Sequence, residues 1–392
     1  PSDNCQCMPR LVPLSLLVSA LLFFASCSKD PYTEALKHIA QGDELVRSQK
    51  YPDAILEYKI AISLVDISSL AHFRLAEAYI KAEDVRNAYG EYLRAADLDL
   101  QNDEYQVKAG NMLLMSGQFQ EAKNRARLVL ERKPDNVPAI VLLGNALVGM
   151  KDYESAAQLG RKVTELTPER PGGYRNLGVM ELVRGNGDSA ERAFKRAMEL
   201  DPKSVAPVLA LSDLYRATNK PQLAEDTLKR ALAMDPKHVL ANRAMAAFYI
   251  DTRQPQRAEP LLRTAAENST DPNDQLALAD YFMGMGRHDD AKAVLNTLKT
   301  KTPAAIVPAN IRLAVITYAL GDRAGGHRLM DEALKARPND ALALSMKARL
   351  QLSDNQVEEA LATAREAVTV DPRSTEGQLM LGRVYLARKE LE

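Results

Sequence analysis

The sequence predicts an all-α protein, a solenoid of short helix pairs stacked in line. Three observations predict it. From Pro171 to Pro202 the chain reads PGGYRNLGVMELVRGNGDSAERAFKRAMELDP. Apolar residues recur there at three- and four-residue spacing in two runs, as in two short amphipathic helices joined by a turn. The prolines that close such pairs, Pro134, Pro168, Pro202 and Pro236, fall 34 residues apart, and Pro338 and Pro372 keep the same step. Two columns of small residues follow that period along the chain.

In the 171–202 stretch the first helix is carried by Tyr174, Leu177, Gly178 and Leu182. Gly185-Asn186-Gly187 breaks it. Asp188 is expected to cap the second helix, its carboxylate accepting N–H groups of the first turn. Ala190, Phe194, Ala197 and Met198 line that helix, and Asp201-Pro202 stops it, since proline lacks the N–H and disfavours helix before it. Two such helices cannot bury both apolar faces on each other, so each pair needs neighbours. The first small column is Gly42, Ala76, Gly110, Gly144, Gly178, Ser212, Ala246, Ala279, Ala314, Ala348 and Gly382. The second is Ala54, Ala88, Ala122, Ala156, Ala190, Ala224, Ala258, Ala291, Gly326 and Ala360. Short side chains at these points let helix backbones approach closely.

The pattern Tyr174, Leu177, Gly178, Ala190, Phe194, Ala197, Pro202 with its period of 34 resembles the tetratricopeptide repeat. The resemblance covers residues 35–392, about ten repeats plus the first helix of an eleventh. It implies a right-handed superhelical solenoid. Gln41 and Lys347 depart from the Leu177 column, and Gly326 replaces alanine. The unit ending near Asp271 is one residue short and the next, ending near Ile306, one long, so the stack is expected to be irregular there.

A chain of 392 residues exceeds one ordinary core, and the repeats make a single quasi-linear array the expected picture. The formal net charge of −1 leaves no basic stripe for nucleic acid, so none is expected as a partner. Residues 1–7 read as a misassigned start ahead of Met8; a C-x-C metal site at Cys5 and Cys7 has no further ligands to complete it. Leu11 to Phe24 is an apolar run, too short to span a bilayer and suited to the core of a secretory signal. It ends in Phe24-Ala25-Ser26-Cys27, which resembles a bacterial lipobox, so residues 8–27 read as a lipoprotein signal. The resemblance implies lipidation of Cys27 and anchorage in the cell envelope, with Ser28 after it favouring the outer membrane, facing the periplasm. An ordinary cleaved signal or an uncleaved anchor is the alternative. No cysteine follows Cys27, so stability must come from stacking.

No catalytic constellation emerges. His38, His72, His238, His288 and His327 are scattered, no H-E-x-x-H or G-x-S-x-G occurs, and Gly144–Lys151 lacks the lysine a phosphate loop needs. No metal, cofactor or enzymatic activity is expected.

In the tetratricopeptide family the second, fifth, ninth and twelfth residues of each first helix face a concave groove. That resemblance implies a protein- or peptide-binding surface formed by Asn145, Arg175, Asp213, Arg216, Arg243 and Asp280, set among Val141, Val148, Val179, Leu182, Leu209, Leu240 and Ile250. Asn145 and Asn176 match two positions of the family's two-carboxylate clamp. Its cations are replaced by Val141, Ala206 and Ala210, so no clamp of that type is expected. The chain stops at Glu392 within the eleventh repeat, so a longer natural protein or a fragment is expected. The resulting expectation is a membrane-anchored scaffold resembling the tetratricopeptide lipoproteins of exopolysaccharide and surface-protein export, including the exosortase-linked group. The rivals are a recruiting arm of an enzyme continuing past residue 392 and a cytoplasmic adaptor.

Overall fold

A computed structural model describes residues 30–388. The leader at 8–27 with Cys27, residues 1–7 and residues 389–392 lie outside the described ones. The chain divides after Asn186 into two compact units, and no strand occurs among the described residues.

The first unit holds α1 (Pro31–Arg47), α2 (Tyr51–Leu64), α3 (Ser69–Lys81), α4 (Val85–Leu98), α5 (Asp103–Met115), α6 (Phe119–Arg132), α7 (Val137–Gly149), α8 (Tyr153–Leu166) and α9 (Pro171–Val183). The second holds α10 (Gly187–Leu200), α11 (Ala206–Ala217), α12 (Pro221–Met234), α13 (Val239–Asp251), α14 (Glu259–Asn268), α15 (Pro272–Gly284) and α16 (His288–Lys301). It continues with α17 (Ile306–Ala319), α18 (Arg323–Ala336), α19 (Ala341–Ser353), α20 (Val357–Val370) and α21 (Thr375–Arg388). Within each unit every helix packs on the next, and alternate helices also meet, as α1 with α3, α7 with α9, α15 with α17 and α19 with α21. Each unit is therefore an all-α solenoid segment. Its first helix, α1, begins at Pro31, four residues before the start read from the repeat pattern.

Inside each pair the first helix is followed by a three-residue turn, in the α13–α14 pair with a 3-10 turn after it, and the middle residue is left-handed, from φ 55° at Asn219 to φ 97° at Gly321. The next N–H then reaches back over the helix end, Lys50 to Leu45 carbonyl at 2.9 Å and Gln254 to Tyr249 carbonyl at 2.7 Å. Gly117, Gly185, Gly286 and Gly321 meet this demand freely, whereas Gln49, Glu83, Lys151, Asn219, Arg253 and Asn355 adopt it with a side chain.

Both small columns are buried where helices cross. A Cβ on Gly42 would stand 2.5 Å from the Tyr58 ring, and one on Gly144 2.6 Å from Met180. Gly326, which departs from the family's alanine, has Tyr318 Cβ 2.8 Å from where its own Cβ would be, so glycine is the fit there. Gly382 alone of the first column is exposed, with nothing within 4 Å of such a Cβ.

In five repeats the residue four positions before the first small column is a polar side chain that bonds carbonyls of the preceding turn. His72 Nε2 lies 3.0 Å from the Asp66 carbonyl, and Gln106 donates to Ala96 at 2.6 Å. Asn242 donates to Pro236 at 2.9 Å, Gln275 to Ala266 at 2.7 Å and Gln378 to Pro372 at 3.2 Å. These bonds satisfy helix-end or turn carbonyls, all but the exposed Pro372 carbonyl at least partly buried.

The two repeats of irregular length, both in the second unit, have a 3-10 turn each. Pro255–Arg257 replaces the start of a second helix, and α14 keeps 10 residues against 14 in α12. Pro303–Ala305 precedes α17. Pro260 lacks the N–H that a helix continuing from Pro255 would use, whereas Pro255 itself stands where Pro221 starts a regular helix one repeat earlier. One expectation is corrected: α10 begins at Gly187, so Asp188 lies inside the first turn and Asn186 holds the cap position. In the 34-residue register Asn186 answers to Asp152, which caps α8 by accepting from Ser155 N at 3.2 Å. Asp188 still meets the positive end of the helix dipole.

Candidate protein-binding face

Within each unit, charged side chains on consecutive first helices form a ladder between repeats. In the first unit Asp43 accepts a 2.7 Å hydrogen bond from Tyr58 and lies 3.3 Å from Arg74 of the next first helix. One repeat on, Glu77 accepts from Tyr92 and from Lys108 at 2.7 Å. Burial pushes the Glu77 carboxyl up, but the Lys108 and Tyr92 hydrogen bonds outweigh it and hold the carboxyl below its usual range. Burial, then the bond to Asp43, raises the Tyr58 phenol. The family face had been carried only onto the middle repeats, so these residues were missed. The signal was present, because Asp43 and Glu77 directly follow Gly42 and Ala76 of the small column.

Asn145 on α7 and Arg175 on α9 are exposed, and Asn176 is half-buried. Val179 beside them is 43 % exposed. Gly144 and Gly149, read against a phosphate loop, lie on helix α7 facing Met180 and Phe119, so both are packing glycines.

In the second unit Arg216 Nη2 meets Asp251 at 2.6 Å and its Nη1 lies 3.6 Å from Asp213. These three, with Phe248 and Pro221, border a cavity of about 530 Å³. Arg243 Nε is 3.3 Å from the Asp274 carboxylate, which is 2 % exposed. No N–H is aimed at either oxygen, so the contact is Coulombic attraction without an aligned hydrogen bond. Asp280 is held in a two-pronged grip by Arg312, at 2.6 Å and 2.8 Å. A cavity of about 610 Å³ opens between Arg243, Ile250, Ala277, Asp280, Tyr281 and Met285. Asp213 and Arg216 thus border one cavity and Arg243 and Asp280 another, and each of the four already has a partner within the chain.

Three of the five histidines pair with carboxylates of other helices. His38 and His72 each lie 2.6 Å from a carboxylate one helix on, Glu57 and Glu91, and His327 lies 2.7 Å from Asp354. Among the described residues no three His, Cys, Asp or Glu side chains converge as for a metal ion, and no helix is long and apolar enough to cross a membrane. What the arrangement offers is apolar side chains and fixed charges along consecutive helices, the surface an extended peptide or a partner helix can use.

No curated protein matches the chain. A tetratricopeptide repeat protein from Parabacteroides merdae has a similar structure, at TM-score 0.55 and 16% identity over 64% of this chain and 99% of its own. Yeast Tom70 aligns at 0.49 and 16% identity over 91% of this chain and 89% of its own. Pseudomonas aeruginosa pilF aligns at 0.44 and 16% identity, over 57% of this chain and all of its own. Models of the tetratricopeptide repeat match residues 39–104, 113–176, 182–248, 311–375 and 345–392. With that coverage and stacked helix pairs throughout both units, the chain belongs to the tetratricopeptide repeat family, whose repeats serve as protein-protein interaction scaffolds.

Proposed function

We propose that the chain is a non-catalytic scaffold of a bacterial envelope, lipid-anchored at Cys27, that captures an extended segment of a partner protein on its first-helix face. The observation that carries the anchor is the short passage from leader to repeat. The apolar run Leu11–Phe24 ends in Ala25-Ser26-Cys27, and three residues later Asp30 caps α1, accepting from Tyr32 N at 3.3 Å and Thr33 N at 3.1 Å. An acylated Cys27 would hold the first repeat at the bilayer surface, since each buried methylene is worth about 0.8 kcal/mol and stable anchoring takes more than one chain. Ser28 favours the outer membrane, facing the periplasm. Export or assembly of surface proteins or exopolysaccharide is the setting in which such a scaffold would work.

The test is the mass of the mature N-terminus from native membranes, for the natural chain and for Cys27→Ala. A chain beginning at an acylated Cys27, released from membranes by the substitution, supports the proposal. An unmodified chain beginning at Met8 or earlier removes the anchor from it.

A further inference from the structure

In α1, α3 and α15 the residue after the small column is a carboxylate, and the next first helix answers it. Asp43 pairs with Arg74 at 3.3 Å, Glu77 with Lys108 at 2.7 Å and Asp280 with Arg312 at 2.6 Å. In α19 and α21 that residue is Arg349 and Arg383, both exposed. Neither makes an ion pair or side-chain hydrogen bond among the described residues. The register from which the next repeat would answer Arg349 holds Met380, 1 % exposed, and Leu381, so no carboxylate is available.

These arginines stand among exposed apolar side chains. Leu342 is 45 %, Leu379 48 % and Leu386 62 % exposed. Helical spacing sets Leu342 with Arg349, and Leu379 and Leu386 with Arg383. Because α19 packs on α21, the two stripes adjoin. Two guanidinium groups at one register on neighbouring helices repel each other, and no carboxylate among the described residues pairs with either. Elsewhere on this unit's face Arg216, Arg243 and Arg312 are each paired internally.

We propose that this face of α19 and α21 docks an acidic, apolar segment of a partner protein. Two carboxylates would meet Arg349 and Arg383, and aliphatic or aromatic side chains would cover Leu342, Leu379 and Leu386. Charge complementarity selects the segment, and burial of the leucines adds affinity. The inference rests on the protein-binding reading above and gives it a place and a charge.

The test pans the full chain against a random peptide library and measures synthetic copies of the enriched peptides by fluorescence anisotropy. The expected peptides combine Asp or Glu with Leu or Phe and bind more weakly as salt is raised. Arg349→Glu with Arg383→Glu should weaken them about ten-fold or more. Peptides with Lys for the acids should regain binding to that double variant, whose circular dichroism should be unchanged. Enrichment of neutral or basic peptides, or affinity indifferent to the double variant, overturns this inference and leaves the scaffold reading standing. Dimerisation abolished by the double variant assigns the face to a second copy and also overturns it. Failure of any peptide to enrich overturns both readings.

Discussion

Glu83 has φ 61° in the turn between α3 and α4, a conformation in which its Cβ crowds the following carbonyl. Gly117 fills the same position one repeat later at φ 76°. Glu83→Gly should therefore raise stability by about 0.5–1 kcal/mol, and Gly117→Ala should lower it by a similar amount, both read as shifts of the urea midpoint. Ala190 is wholly buried, so Ala190→Leu should cost roughly 1–3 kcal/mol; an unmoved thermal midpoint would refute the packing assigned to this column. The small columns were legible because one requirement, close approach, admits only Gly, Ala and Ser. The polar column of His72, Gln106, Asn242, Gln275 and Gln378 was not, because three residue types meet one hydrogen-bonding need and apolar residues such as Ile140 and Leu344 take the position in other repeats. The cap was misread because the glycines at Gly185 and Gly187 drew the helix start two residues late.

At the scale of elements, Asp354 at the end of α19 ties back to the previous pair. It accepts from Tyr318 at 2.6 Å, His327 at 2.7 Å and Arg323 at 3.0 Å. The Tyr318 bond, then the His327 bond, hold its carboxyl below the usual range. A carboxyl with a depressed folded-state value contributes stability that is complete above its unfolded value, about 3.9, and is lost as pH falls through the folded value. Asp354→Asn should flatten the loss of stability below about pH 4, followed by denaturant titration across that range. Arg216→Glu would set three carboxylates together with Asp213 and Asp251. It should lower the thermal midpoint as well as any partner affinity, whereas Arg175→Glu, on the exposed face of α9, should leave stability within about 0.5 kcal/mol. The sequence pointed to the second-unit face, through the family's helix positions. It did not tell that Arg216, Arg243 and Asp280 are engaged with Asp251, Asp274 and Arg312, because those partners lie 31 to 35 residues away on neighbouring helices.

For the whole molecule, the sequence led to one quasi-linear array, and the chain is described as two compact units that meet after Asn186 in sequence. Nothing in composition marks that point. The 34-residue step runs through it, from Gly178 to Ser212 and from Ala156 to Ala190 to Ala224, and the division falls inside the helix pair that displays the repeat most plainly. In such arrays each pair depends on its immediate neighbours. Ala360→Leu should thus speed amide exchange in α19–α21 and leave α1–α4 unchanged; exchange raised equally in all helices would contradict that locality.

The Tyr318–Asp354 bond joins residues 36 apart, and the other bonds drawn above join residues closer still. No part of this ladder waits on a distant stretch of chain. A polypeptide emerging from a ribosome or threading through a pore could close each rung as soon as the following helix pair has cleared the opening, so the loop entropy to be overcome at each step stays small and nearly constant. Assembly would then advance along the chain in step with its delivery, and unfolded length exposed to aggregation would be limited to about one repeat beyond the opening.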